Sequence, residues 1–203
     1  LAVIQGGPDV GAAFAGLPFD HLIFTGATNV GRHVMRAAAD NLVPVTLELG
    51  GKSPVVIGKG ADIAKTAARV MLGKTMNAGQ ICLAPDYVLA PPDSVKAFVD
   101  ASRAAVAKMY PTMKDNADYT SIINQRHHDR ITGLIDDARS KGGEIVTLNP
   151  ANEDFSQQEH RKIPPTLVLN ATEEMAVMQE EIFGPVLPIR TYARIEDTIS
   201  EIN

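Results

Sequence analysis

The sequence has no tryptophan and a single cysteine, Cys82, in 203 residues. A single thiol permits no internal disulfide, so nothing in the chain demands an oxidising compartment and a reducing cytoplasm is the expected location. Long apolar runs are also missing. None approaches the roughly 20 residues of a membrane helix, and Leu1-Ala2-Val3-Ile4 lacks the basic flank and length of a signal peptide. There is no basic block: 24 acidic against 19 basic residues leave a formal charge of -5, which argues against nucleic acid as a partner. His21, His33, His127, His128 and His160 show neither metal-ligand spacing nor a partner pattern with Cys82, so no metal site is expected. His127-His128 reads as a solvated helix face. Repeats and low-complexity tracts are absent. No initiator methionine precedes Leu1, and the chain is expected to be a fragment or a processed product.

What is present suits a globular α/β chain. Hydrophobic residues make up 45%, enough for a core in one large or two small domains. Apolar runs at residues 1–5, 21–25 and 43–49 read as strands, the first two buried. Between them come a helix from Pro8 to Gly16 and an amphipathic helix carrying Val30, Val34, Ala37 and Ala38. This alternation indicates parallel βαβ units, whose ligands bind beyond the carboxyl ends of the strands. Further strands are predicted at 54–57, 87–90, 144–148, 163–170 and 186–190, with Pro164-Pro165 placed near a sheet edge. Helices are predicted from Asp62 towards Cys82, over 93–109, 125–141 and 173–179, and from near Arg194. Residues 149–161 read as a polar surface loop.

Four stretches carry candidate chemistry. In Asn77-Ala78-Gly79-Gln80-Ile81-Cys82 the helical spacing breaks at Gly79, and Pro85 prevents a helix from resuming, which places Cys82 on a turn. A lone free cysteine is commonly a small buried hydrophobe. On a glycine-bearing polar turn, however, a thiol can serve as a nucleophile. Gly26-Ala27-Thr28-Asn29-Val30-Gly31 sets two glycines between a strand and a helix, where backbone amides can face an anion; it is not the G-x-G-x-x-G fingerprint, and an ordinary tight turn is the alternative. Glu48 ends a strand otherwise built of Val45, Leu47 and Leu49, so that partial burial would suit it to act as a base, against the alternative of a solvated strand end. The adjoining Gly50-Gly51-Lys52-Ser53 lacks the first glycine of a phosphate-binding loop, having Thr46 there. Glu180-Glu181-Ile182-Phe183-Gly184-Pro185 taken alone reads as a helix end with solvated charges.

Taken together and in this order, the four stretches resemble the NAD(P)-dependent aldehyde dehydrogenase superfamily. Asn77 through Tyr87 is most similar to the class 3-like branch that includes fatty-aldehyde and coniferyl-aldehyde dehydrogenases. The resemblance implies an α/β fold: a three-layer, parallel-sheet catalytic domain over 51–203, truncated at its carboxyl end, with the later part of a dinucleotide-binding domain over 1–50. The active site is expected in the cleft between them. The resemblance implies Cys82 as nucleophile and Glu48 as the base that activates water. Gly26, Ala27, Thr28, Asn29, Val30 and Gly31 would lie at the cofactor pyrophosphate, Leu49 at the nicotinamide, and Glu181 with Phe183 at its ribose. The cofactor is then NAD or NADP, with NAD favoured, and the partner a small-molecule aldehyde, aromatic such as coniferyl aldehyde or long-chain aliphatic. The full-length enzyme is expected to form a homodimer or homotetramer.

Members of that family are more than twice this length, and the resemblance covers their middle-to-late portion. It therefore implies that the lysine contacting the adenosine ribose and the oxyanion-hole asparagine side chain lie outside residues 1–203, and that the isolated chain binds NAD weakly and is a poor catalyst. Ala27 stands where many relatives carry a polar side chain, which leaves pyrophosphate contacts to the backbone. Two alternatives remain open. A coenzyme A-acylating enzyme would not need Glu48, and a non-catalytic module of the same fold would carry an inert Cys82.

Overall fold

The computed structural model describes residues 1–203. The chain divides into two compact units, Leu1–Gly51 and Lys52–Asn203. The first contains α1 (Pro8–Ala15), β1 (Leu22–Gly26), α2 (Thr28–Ala39) and β2 (Val45–Leu49). Pro8 opens α1, where its missing N–H has no intrahelical bond to lose, and Gly16 closes it by donating to Ala13 O and Phe14 O. β1 and β2 are parallel, with Leu22 opposite Val45 and Gly26 opposite Leu49. A small core of Ala15, Leu22, Val34, Ala38 and Val43 fills one face of this ribbon.

Two expectations fail in this unit. Residues 1–5 form no strand and lie exposed, because no strand of the chain pairs with them and apolar composition alone does not make a ladder. β1 is not buried throughout: Leu22 faces the core, whereas Ile23 on the opposite face is 71% exposed. Only one side of the ribbon is packed.

The second unit contains β3 (Pro54–Val56), α3 (Ile63–Thr75), β4 (Tyr87–Ala90), α4 (Val95–Met109), α5 (Gln125–Ser140), β5 (Glu144–Thr147), β6 (Thr166–Leu169), α6 (Ala176–Gln179), β7 (Val186–Thr191) and α7 (Asp197–Ile202). Its strands are ordered β3-β4-β7-β6-β5, parallel except for the antiparallel pair β5 and β6. Adjacent residues of one strand fall into different cores. Leu167 packs with Met71, Phe98 and Val106 from α3 and α4, while Val168 packs with Ile131, Leu134 and Val177 from α5 and α6. Since successive strand residues point to opposite faces, both faces of the sheet are covered and the unit has three layers.

Local chemistry sets the element ends. Asp62 accepts a hydrogen bond from Lys65 N and caps α3; Asn124 accepts one from His127 N and caps α5. Gly142, at φ 89°, turns the chain out of α5 in the left-handed conformation that glycine tolerates best. The helix expected over 173–179 shortens to Ala176–Gln179, and the one expected from Arg194 begins at Asp197. Pro164-Pro165 does not mark an edge. The prolines precede β6, which lies between β7 and β5, and they stop short of its ladder, where a missing N–H would break a bond. His127 and His128 are half-buried, because α5 turns that flank inward.

Candidate active site

The turn that carries Cys82 starts where α3 stops. The Thr75 hydroxyl bends back to donate to Met71 O. Asn77, Ala78 and Gly79 then follow one another in the left-handed region, at φ 50°, 52° and 72°. For the two residues with a Cβ this conformation costs on the order of 1 kcal/mol each, so the surroundings must hold it.

Gln80 supplies much of that hold. Its side-chain amide donates to Asn77 O and Ser121 O, and its Oε1 accepts from Ile123 N at 2.9 Å. Asn77 Nδ2 donates in turn to Gln80 O. Ala84 N donates to Ile81 O at 3.0 Å, closing the chain around Cys82, which is exposed. The buried-hydrophobe reading of this cysteine is thereby excluded.

Gly79 joins the turn to the acidic stretch. A Cβ at Gly79 would lie 2.4 Å from Gly184 O and 2.9 Å from Lys74 O, so the two backbones meet where no side chain fits. Residues 180–184 are themselves clamped. Arg130 donates to Glu181 O at 3.3 Å and to Ile182 O at 2.5 Å, and Asp86 Oδ1 accepts from Ile182 N at 3.1 Å. Lys52 Nζ donates to Asp86 Oδ2, Val177 O and Glu180 O at 2.5, 2.8 and 2.9 Å. Phe183 leaves the clamp at φ 46° and is exposed, and Glu181 is half-buried. The solvated helix-end reading of this stretch fails, because its backbone is bound from three sides. The structure thus brings Cys82, Glu181 and Phe183 onto two turns of one unit that touch through Gly79 and Gly184.

Beneath them lies a buried charge that the sequence reading missed. Lys74 is 1% exposed, its Nζ has no hydrogen-bond partner, and the Asp86 Oδ1 counter-charge lies at 4.0 Å, beyond hydrogen-bond reach. Burial draws its pKa from 10.5 down to about 8; Asp86 opposes the fall, Lys52 adds to it and Glu181 opposes it. A signal was available: Lys74 stands seven residues after Ala67 on the face of α3 that also carries Met71, where a solvated lysine would not fit. Asp86 had one too, as a carboxylate leading directly into the fully buried Tyr87-Val88-Leu89-Ala90.

In the first unit, residues 26–31 and Leu49 come together at the carboxyl ends of two parallel strands. Ala27 precedes α2 without a side-chain cap, and Gly31 N is the amide that bonds back to Ala27 O. The amides of Thr28, Asn29 and Val30 therefore have no intrahelical acceptor. A Cβ on Gly31 would meet Leu49 Cδ2 at 2.7 Å, which keeps the start of α2 close against β2. Uncapped amides at a helix N-terminus beside this glycine suit a phosphate group, so the residues present fit a dinucleotide pyrophosphate. Glu48 pairs with Thr25 across the ribbon and is exposed, as the solvated strand-end alternative has it and not the partly buried one; with Thr46 it lies on the ribbon face away from the core. It belongs to a different unit from Cys82. No three His, Cys, Asp or Glu side chains gather to hold a metal ion, and no helix is long and apolar enough to cross a membrane.

Comparison with known proteins adds a relationship to this geometry. The profile of the Aldehyde dehydrogenase family matches residues 1–203. A probable coniferyl aldehyde dehydrogenase of Caulobacter vibrioides is 64% identical over 203 residues, covering 100% of this chain and 42% of that protein. The substrate-bound AldH of Staphylococcus aureus matches with a TM-score of 0.89 at 40% identity, over 98% of this chain and 42% of that one. Betaine aldehyde dehydrogenase of the same organism, solved in complex with NAD+, matches with a TM-score of 0.85 at 28% identity, over 98% and 40%. The chain thus spans about two fifths of the length of the relatives it matches.

Proposed function

Because the chain belongs to the aldehyde dehydrogenase family, we propose that it carries the thiol and the nicotinamide-side residues of an enzyme that oxidises an aldehyde to its carboxylic acid. The observation that carries this reading is the exposed Cys82, fixed on its turn against residues 180–184. Cys82 Sγ, giving its proton to solvent, adds to the aldehyde carbon, and the carbonyl oxygen becomes the oxyanion of a thiohemiacetal. The backbone N–H of Cys82 is one donor to that oxygen. A nicotinamide dinucleotide held at residues 26–31 would supply the hydride acceptor. Loss of hydride from the thiohemiacetal carbon leaves a thioester on Cys82. Glu48 takes a proton from the water that attacks this thioester; the C–S bond breaks, the acid leaves and the thiol is restored.

The uncapped amides of residues 28–30, beside Gly26, Ala27 and Gly31, would hold the pyrophosphate. Leu49 would lie by the nicotinamide, and Glu181 with Phe183 by its ribose. The cofactor is taken to be NAD+, as in the Staphylococcus betaine aldehyde dehydrogenase. The substrate is taken to be an aromatic aldehyde of the coniferyl type, after the name of the Caulobacter relative.

The test is NADH formation from coniferyl aldehyde and NAD+ at mildly alkaline pH. Even a slow rise suffices, since it is read against variants. Cys82→Ala should abolish it, and Glu48→Gln should leave a single burst of up to one NADH per Cys82 without sustained turnover. A Cys82→Ala protein that turns over as fast as the parent would refute the mechanism.

A further inference from the structure

We infer that Asp86 is a positioning residue for the cofactor-side segment 180–183, acting through its carboxylate on Lys52, Lys74 and the Ile182 amide. The inference rests on the reading that Glu181 and Phe183 hold the nicotinamide ribose. Asp86 is 3% exposed and uses both oxygens: Oδ1 accepts from Ile182 N and faces Lys74 Nζ, while Oδ2 accepts from Lys52 Nζ. Lys52 passes the hold onward to the carbonyls of Val177 and Glu180. One carboxylate therefore fixes the segment directly at Ile182 and indirectly at Glu180, on either side of Glu181.

The main chain of Asp86 is fixed independently. Its N–H donates to Ser53 O at 2.8 Å, and β4 begins at the next residue. The Cys82 turn is held chiefly by Gln80, through Asn77, Ser121 and Ile123, and it meets the cofactor-side stretch at Gly184, just past residues 180–183. Removing the Asp86 charge should thus loosen residues 180–183 while leaving the thiol where it is. Asp86→Asn keeps the shape and an acceptor for Ile182 N, yet leaves Lys52 and the buried Lys74 without their shared counter-charge.

The experiment compares Asp86→Asn with the parent protein in three readouts. These are hydrogen exchange at the amides of residues 180–183, the Kd of NAD+, and the rate at which iodoacetamide alkylates Cys82. The expected pattern is exchange about tenfold faster and NAD+ binding about tenfold weaker, with alkylation within about twofold of the parent, as loss of one charged hydrogen bond implies. If alkylation shifts as much as binding, the unit has loosened as a whole and the positioning role is overturned. Phe183→Ala separates the layers of the argument. If it leaves NAD+ binding unchanged, the reading of the segment itself falls and the inference with it; if it weakens binding while Asp86→Asn does not, the inference alone falls. Should Asp86→Asn fail to fold, Lys52→Gln, on the partly exposed partner, must reproduce the same split in weaker form, and unchanged exchange and binding in that variant overturn the inference.

Discussion

Replacing Lys74 with methionine should flatten the dependence of stability on pH in the alkaline range. Burial lowers the pKa of this lysine from 10.5 to about 8 in the folded chain. Each tenfold change in proton affinity corresponds to ~1.4 kcal/mol, so the interval amounts to about 3 kcal/mol. Below about pH 8 the side chain is charged in both the folded and the unfolded chain, and the fold carries the whole cost of burying it. As pH rises from about 8 towards 10.5 the folded chain releases its proton first. The unfolded chain then binds more protons, and stability rises with pH. Between about pH 7.5 and 9.5 the expected gain is ~2 kcal/mol. Lys74→Met has no proton to release, so the stability difference between variant and parent must change by that amount across the same range. Urea unfolding followed by tyrosine fluorescence reads the correct unit, because Tyr87, Tyr110, Tyr119 and Tyr192 are the chain's only tyrosines, all lie within Lys52–Asn203, and there is no tryptophan. With a urea dependence of roughly 2 kcal/mol per molar, the gap between the two midpoints should move by about 1 M. Parallel curves for variant and parent across this range would refute the reasoning.

Other perturbations follow from single contacts. Gly79→Ala should cost more than about 2 kcal/mol, since its Cβ would strike Gly184 O at a φ of 72°, whereas Gly142→Ala, at φ 89° with open space around it, should cost only about 1; urea midpoints of the two variants isolate the steric part. Tyr119→Phe removes the buried hydroxyl that donates to Ile163 O at 2.7 Å and should lower unfolding stability by about 1–2 kcal/mol. Asp62→Ala removes the cap of α3 and should cost about 1 kcal/mol, seen as a lower thermal midpoint.

The sequence announced its elements wherever periodicity and punctuation agreed. Asp62 before an apolar-spaced run, Gly142 after one, and Pro8 with Gly16 at the two ends of α1 all stand where their types predict. It misled at residues 1–5, because a strand is a property of two segments and the pairing partner cannot be read from one. The strand-end position of Glu48 was legible, but its exposure was not, since burial depends on what covers the outer face of β1 and β2. Lys74, Asp86, Lys52 and Arg130 escaped for a related reason. The positions of Lys74 and Asp86 hinted at burial, but only the third dimension places Lys74 beside Asp86, and Arg130 against the carbonyls of Glu181 and Ile182.

The run of left-handed residues before Cys82 has a consequence for transplanting this stretch. Asn77 tolerates the left-handed conformation but Ala78 does not favour it; Gln80, tied to the sequence-distant Ser121 and Ile123, and the equally distant Gly184 help to impose it. Residues 75–85 cut out as a peptide, or grafted onto a foreign scaffold, would relax towards ordinary helical or extended backbone and present the thiol in another direction. The motif is thus a signature without being a module: the letters travel, and the geometry stays with the unit that enforces it.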